Sequence, residues 1–169
     1  LTGHIVFSSL HANSTVGVIP RLIDMGVRSF LIPSTLRVAV SQRLVRALCP
    51  HCKRKIKPNE KIEKYILEKL KNLSTSARKE IKIPEPLYIY EPKGCEVCNF
   101  SGYVGRTALF EVLSMTSELA ELILKSPIES LILKVAQQQG MLTMEQEGIL
   151  KVLSWETTVQ EVTRVTDEK

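Results

Sequence analysis

Cys49-Pro50-His51-Cys52 and Gly94-Cys95-Glu96-Val97-Cys98 hold the only four cysteines of the chain, as two Cys-x-x-Cys pairs with 42 residues between them. Four thiolates in two close pairs make a complete tetrahedral set for one metal ion. A single pair would read equally well as a redox dithiol, but two pairs with no cysteine left over fit a closed site better. Pro50 lies inside the first pair, and Gly94 and Gly102 flank the second. Tight turns at such positions let backbone N–H groups approach the sulfurs. The expected occupant is one zinc ion on Cys49, Cys52, Cys95 and Cys98. The alternatives are two disulfides or an iron ion, and spacing alone does not separate zinc from iron. The first residues read as mid-domain sequence and carry no signal-peptide pattern, so a reducing compartment is expected, where disulfides are rare. His51 is expected to face solvent, because four sulfurs already fill the site. Such a site leaves no position for water, so the metal is expected to hold structure and to perform no chemistry.

The chain has 169 residues, 44% of them hydrophobic and 5% aromatic. That suffices for one ordinary core or two small ones. No run of about 18 apolar residues occurs, so no membrane-spanning segment is expected. The net charge of +5 is unevenly spread: residues 1–50 carry +4, residues 51–93 carry +6, residues 94–113 carry −1 and residues 114–169 carry −4. The basic middle suits an anionic membrane surface or nucleic acid, and equally a solvated, Lys-rich surface insertion. Few aromatics interleave with its basic residues, so platforms for base stacking are scarce. The acidic end also opposes phosphate, and no nucleic-acid partner is expected.

Along the chain, Ile5-Val6-Phe7-Ser8-Ser9-Leu10 has the length and β-branching of a buried strand. So abrupt a start is expected of a fold that begins before Leu1. Ser14-Thr15 suits a helix N-cap, with Val18, Leu22 and Met25 on one face and Gly26 as the stop. Pro33-Ser34 opens a second helix with Leu36, Val40 and Leu44 on one stripe, whereas Gln42 to Leu48 alternates as a strand would; the two readings overlap. Lys61 to Leu70 is an amphipathic helix. Residues 74–85 read as a loop, Leu87 to Tyr90 as a short strand, and Thr107 to Leu113 as a longer one. From Ser117 the pattern turns to short helices. Pro127 is placed at the first position of one that Gly140 ends. Thr143 with Gln146, and Thr158 with Glu161, have the spacing of capping boxes. The chain divides on this reading into residues 1–48, a cysteine module with a Lys-rich insertion over 49–113, and an all-helical part over 114–169.

Thr2-Gly3-His4-Ile5-Val6-Phe7-Ser8-Ser9-Leu10-His11-Ala12-Asn13 resembles the histidine box of the secretion ATPase superfamily. Arg21-Leu22-Ile23-Asp24-Met25-Gly26-Val27, Gln42-Arg43-Leu44-Val45-Arg46 and the first cysteine pair continue the likeness in order. So do Gly94 to Cys98 with Gly102-Tyr103 and Gly105-Arg106, and Glu161 to Thr166. Ser9 and Ala12 stand where the family more often has threonine. The resemblance is to the C-terminal part of a type II secretion or type IV pilus assembly ATPase, in the branch that carries the tetracysteine module.

That resemblance implies an α/β fold: the C-terminal portion of a RecA-like core, then a small zinc module, then an all-helical tail. It implies a hexameric cytoplasmic ATPase, peripheral at the inner membrane, that uses ATP and Mg²⁺ to drive secretion or pilus platform proteins. The phosphate-binding Gly-x-x-x-x-Gly-Lys-Ser/Thr loop of such enzymes does not occur in these 169 residues. The segment alone is therefore not expected to hydrolyse ATP. By the same resemblance His11 is the phosphate-sensing residue and His4 a structural one. Their odd separation would place them on opposite faces of a regular strand. The alternative is that both only satisfy hydrogen bonds near a strand end. Arg43 and Arg46 invite an arginine-finger role, and more simply make ion pairs or subunit contacts. Arg106 is a candidate anchor for the zinc module. The competing function is a zinc-ribbon module that binds nucleic acid or docks a protein.

Overall fold

The computed structural model describes residues 3–71, 73, 83 and 85–167. The loop expected over 74–85 lies almost wholly outside them. In chain order the elements are α1 (Val18–Asp24), a 3₁₀ turn (Ser29–Leu31) running into α2 (Ile32–Thr35), β1 (Val38–Leu48), β2 (Arg54–Ile56), α3 (Glu60–Lys71) and β3 (Ile89–Glu91). A second 3₁₀ turn (Glu96–Cys98) leads to β4 (Tyr103–Ser114), α4 (Ser117–Lys125), α5 (Glu129–Gln138), α6 (Met144–Leu153) and α7 (Val159–Thr166). The fold is mixed α/β. Among the described residues no helix is long and apolar enough to cross a membrane.

Two compact units share the chain: residues 1–41 with 111–141, and residues 42–110 with 142–169. β1 pairs with β4, and β2 with β3, in two separate two-stranded ribbons. The first ribbon is antiparallel: Met115 N–H donates to Arg37 O at one end and Cys49 N–H to Gly102 O at the other.

In the first unit, Leu119 and Ile123 recur at four-residue spacing on α4, as do Ile132 and Ala136 on α5. That spacing keeps them on one helical face, and they close over Val16, Ile19, Ile32, Ala39 and Leu113. In the second unit, Ile66 and Leu70 of α3 join Leu87, Ile89, Ile149, Val152, Val159 and Val162. A smaller cluster is made by Val45, Leu109 and Val165. Each fully buried Ile or Leu contributes about 2 kcal/mol of transfer free energy. Threonines cap two helix starts of the tail, at Thr116, which the sequence reading did not single out, and at Thr143, which it did. Thr116 Oγ1 accepts from Leu119 N–H. Thr143 and Gln146 form a reciprocal box, Gln146 N–H donating to Thr143 Oγ1 at 3.3 Å and Thr143 N–H to Gln146 Oε1 at 3.0 Å.

Five expectations are corrected. No strand forms over residues 5–10, and Ile5, Val6 and Phe7 are 87%, 80% and 94% exposed. A strand exists only beside a partner that takes its hydrogen bonds, and the described residues provide none there. The helix expected through Leu36, Val40 and Leu44 stops at Thr35, and residues 38–48 are strand. Four-residue spacing marks one face of a strand as well as one face of a helix, because four is a multiple of two. Pro127 is not the first helical residue: α5 begins at Glu129 after Ile128. Thr158 caps α7 by accepting from Glu161 N–H, but the Glu161 side chain does not close a box. Its oxygens go to Arg46 and Arg164 instead. Ser14 Oγ accepts from Gly17 N–H at 3.1 Å, which fixes the turn before α1 without capping the helix itself.

Candidate metal centre and histidine loop

β1 delivers Cys49 and β4 departs just after Cys98, so the two cysteine pairs sit at the same end of one ribbon. Cys49 N–H donates to Gly102 O at 3.0 Å and thereby ties the two turns together. The intervening residues are brought back by β2 and β3, which pair antiparallel with Arg54 opposite Glu91, Lys55 opposite Tyr90 and Ile56 opposite Ile89. β2 begins two residues after Cys52, and β3 ends four before Cys95. That register closes the 42-residue spacer into a hairpin base and sets the pairs side by side.

The sulfurs lie 3.9 Å apart for Cys49 and Cys95, 3.8 Å for Cys52 and Cys98, and 3.7 Å for Cys95 and Cys98. All four are within 4.8 Å of one another. A tetrahedral ion with metal–sulfur bonds of about 2.3 Å needs sulfur edges of about 3.8 Å. A disulfide needs about 2.05 Å. The four cysteines are free thiols, so the disulfide alternative is set aside and the donor set fits one four-coordinate metal. Tetrahedral sulfur suits zinc and iron alike. No fifth ligand joins the group among the described residues, and His51 is exposed, as expected.

Backbone donors prepare one sulfur for a cation. Cys98 Sγ accepts from Cys95 N–H and Gly102 N–H, each at 3.2 Å. Burial works against the Cys98 thiolate, yet these N–H groups outweigh it and hold the thiol at about 6. Burial pushes the Cys52 thiol up to about 11. Glycine is required beside the second pair. Gly94 and Gly102 have φ of +92° and +77°, and a Cβ would lie 2.7 Å from Phe100 O at the first and 2.3 Å from Pro92 Cβ at the second. Gly102→Ala is therefore expected to cost about 3 kcal/mol, from left-handed strain and the clash together. Denaturant titration of the metal-loaded protein checks this, and an unchanged midpoint would refute it.

Several basic residues of the second unit are engaged. Lys53 Nζ donates to Trp155 O at 3.0 Å and stands over the Tyr90 ring, while Lys55 stands over Tyr88. Lys69 pairs with Glu145 at 2.7 Å. Arg46 is held by Glu161 at 2.7 Å and lies 4.2 Å above the Tyr103 ring; it is a structural ion pair here. Arg43 and Arg106 are exposed. Glu161 itself was invisible to sequence reasoning as anything but a cap. Its carboxylate is buried and also accepts from Arg46 N–H at 2.9 Å, across 115 residues. Burial alone would raise its pKa, but bonds from Arg164 and Arg46 overcome that and hold it down at about 2.

His4 and His11 are both exposed, in a stretch with no regular structure, so the opposite-face argument has no strand to act on. His11 lines an open hollow of about 400 Å³ with Ala12, Asn13, Arg21, Asp24 and Glu129. The turn after His11 is fixed from two sides. Thr15 N–H donates to Glu111 Oε1 at 3.0 Å and Thr15 Oγ1 to Glu111 O at 3.2 Å. Ser14 Oγ donates to Glu129 Oε1 at 2.7 Å.

Four cysteine sulfurs gathered within 4.8 Å of one another in a mixed helix–strand chain define an α/β protein with a candidate metal centre. Residues 1–164 match the family described as type II/IV secretion system protein, and the chain belongs to it. It is 39% identical over 168 residues to the type II secretion system ATPase E of Vibrio cholerae, covering 99% of this chain and 31% of that protein. It is 38% identical over 171 residues to the type II secretion system protein E of Dickeya dadantii, covering 100% of this chain and 31% of that protein. With the type IV pilus assembly ATPase PilB of Thermus thermophilus it shares 38% identity over 162 residues, which is 96% of this chain and 17% of that protein. The chain thus spans under a third of the length of these relatives.

Proposed function

We propose that this chain is a segment of a hexameric ATPase that works at the cytoplasmic side of the inner membrane and drives type II secretion or type IV pilus assembly. Residues 1–48 supply the end of its RecA-like core, including the histidine box with His4 and the phosphate-sensing His11. Cys49, Cys52, Cys95 and Cys98 hold one structural zinc ion. Bound there, the ion supplies cross-linking and no chemistry, since its four positions are filled by sulfur. ATP and Mg²⁺ bind the full-length protein, and the platform proteins of the inner membrane receive its motion. The segment alone, lacking a phosphate-binding loop, does not hydrolyse ATP.

The single observation that carries this reading is the match of residues 1–164 to the family, with relatives named as secretion and pilus ATPases on either side. The sulfur edges of 3.7–3.9 Å support the metal. The engagement of Lys53, Lys55 and Lys69 by aromatic rings and a carboxylate weighs against a phosphate-binding surface and hence against the nucleic-acid reading. The test uses the full-length protein: elemental analysis, visible absorbance, ATP turnover and native mass. One colourless zinc per chain, ATP hydrolysis and a six-subunit mass are expected. A coloured iron tetrathiolate would overturn zinc, and a protein without turnover would overturn the motor.

A further inference from the structure

We infer that Glu129 and Glu111 are positioning residues for His11, acting through Ser14 and Thr15; this rests on the phosphate-sensing reading of His11. Residues 3–9 are exposed and irregular. Order begins just after it, and two carboxylates from the far part of the sequence impose it. Glu111 is buried and so is Thr15. The two are joined twice, backbone N–H to carboxylate and hydroxyl to backbone carbonyl. A two-bond contact of this kind fixes both position and rotation of the Thr15 peptide. The neighbouring bond works differently. Ser14 Oγ donates to Glu129 Oε1 while accepting from Gly17 N–H, so one hydroxyl links the turn to the start of α5.

Glu129 also lines the same hollow as His11, with Arg21 and Asp24. A side chain that both bounds the hollow and grips the turn three residues from His11 can set where the imidazole sits. Catalysis is sensitive to such placement, and an error of about 1 Å can cost on the order of a hundredfold. Neither carboxylate need touch nucleotide for this. The roles differ in kind: Glu111 anchors the peptide in the core, and Glu129 tunes the turn at the surface.

A double-mutant cycle in the full-length protein tests the inference. His11→Ala, Ser14→Ala, Glu129→Gln and the His11→Ala/Ser14→Ala pair are compared for kcat, KM for ATP and thermal midpoint. Ser14→Ala is expected to lower kcat about fivefold, as the loss of one hydrogen bond would, with KM and midpoint little changed. Glu129→Gln, which keeps an acceptor for Ser14, is expected to retain most of kcat. In the His11→Ala background Ser14→Ala should have no further effect. If it lowers kcat equally in both backgrounds, Ser14 and Glu129 do not act through His11 and the inference falls while the sensing role stands. If His11→Ala leaves kcat intact, the sensing role fails and takes the inference with it. For the buried anchor, Glu111→Gln is used beside Glu111→Ala, so that a folding defect in the second does not decide the outcome.

Discussion

Replacing Cys95 by serine is expected to abolish metal binding and to melt the turns at residues 49–53 and 94–102 while the Thr116 cap of α4 and the apolar stripes of α4 and α5 persist. Zinc bound to thiolates contributes on the order of 10 kcal/mol to the folding of small zinc modules, more than any other single group here. The structure gives a reason for so large a dependence. β2 and β3 are three residues each, too short a ribbon to stand alone, and the sulfurs sit where that ribbon meets β1 and β4. Three cysteines cannot complete the tetrahedron, and thiolates whose partners are lost are left close together without a cation. Elemental analysis should fall from one metal per chain to none. Hydrogen exchange should rise at Cys49, whose N–H bridges the two turns, and at Cys98 and Gly102, whose N–H groups are bonded within the second turn. Full metal content with an unchanged melting profile would end the structural-metal reading. A strong chelator should reproduce the effect in the unmutated protein.

Glu161→Ala should be the next most damaging change, at about 3 kcal/mol, because it leaves two guanidinium groups and a strand N–H without their acceptor. The same carboxylate makes stability depend on pH. Its ordinary value is 4.5 and its value in the fold is about 2, so the folded state favours the ionised form. The contribution is complete above about pH 4.5 and drains away as pH falls towards 2. Denaturant midpoints measured at pH 7 and pH 3 should therefore differ more for the unmutated protein than for Glu161→Gln. Equal pH dependence in the two would mean that another carboxylate carries the acid sensitivity.

Much of this was legible in advance. Cysteine spacing picked out the four sulfurs that the fold gathers within 4.8 Å, because number and pairing are written in the sequence even when the closing geometry is not. Helix positions in the tail followed from apolar spacing and from Thr143 and Thr158. What covers those helices was not legible: α4 and α5 close over residues 16–39, whereas α6 and α7 close over residues 66–89. Periodicity reports which face is apolar and is silent about its partner. The clasp of Glu161 on Arg46 was hidden for a related reason. A Glu three residues after a Thr has a ready local reading as a box, and nothing local reveals an acceptor drawn to a strand 115 residues away. The exposed stretch 5–10 shows the opposite failure, where β-branching promised a strand that needs a neighbour to exist.

The clasp also has a colloidal consequence. Arg46 N–H goes to Glu161 and its carbonyl accepts from Thr157 Oγ1. Leu48 N–H goes to Glu156 O. Because alternate residues of an antiparallel strand address the same edge, residues 156–161 act as a cover along one margin of β1. An uncovered margin there would offer donors and acceptors to any extended chain that drifted past. Losing Glu161 would thus do more than loosen the fold. It would open a sticky seam, and solubility at high concentration would decline before the melting temperature told the whole story.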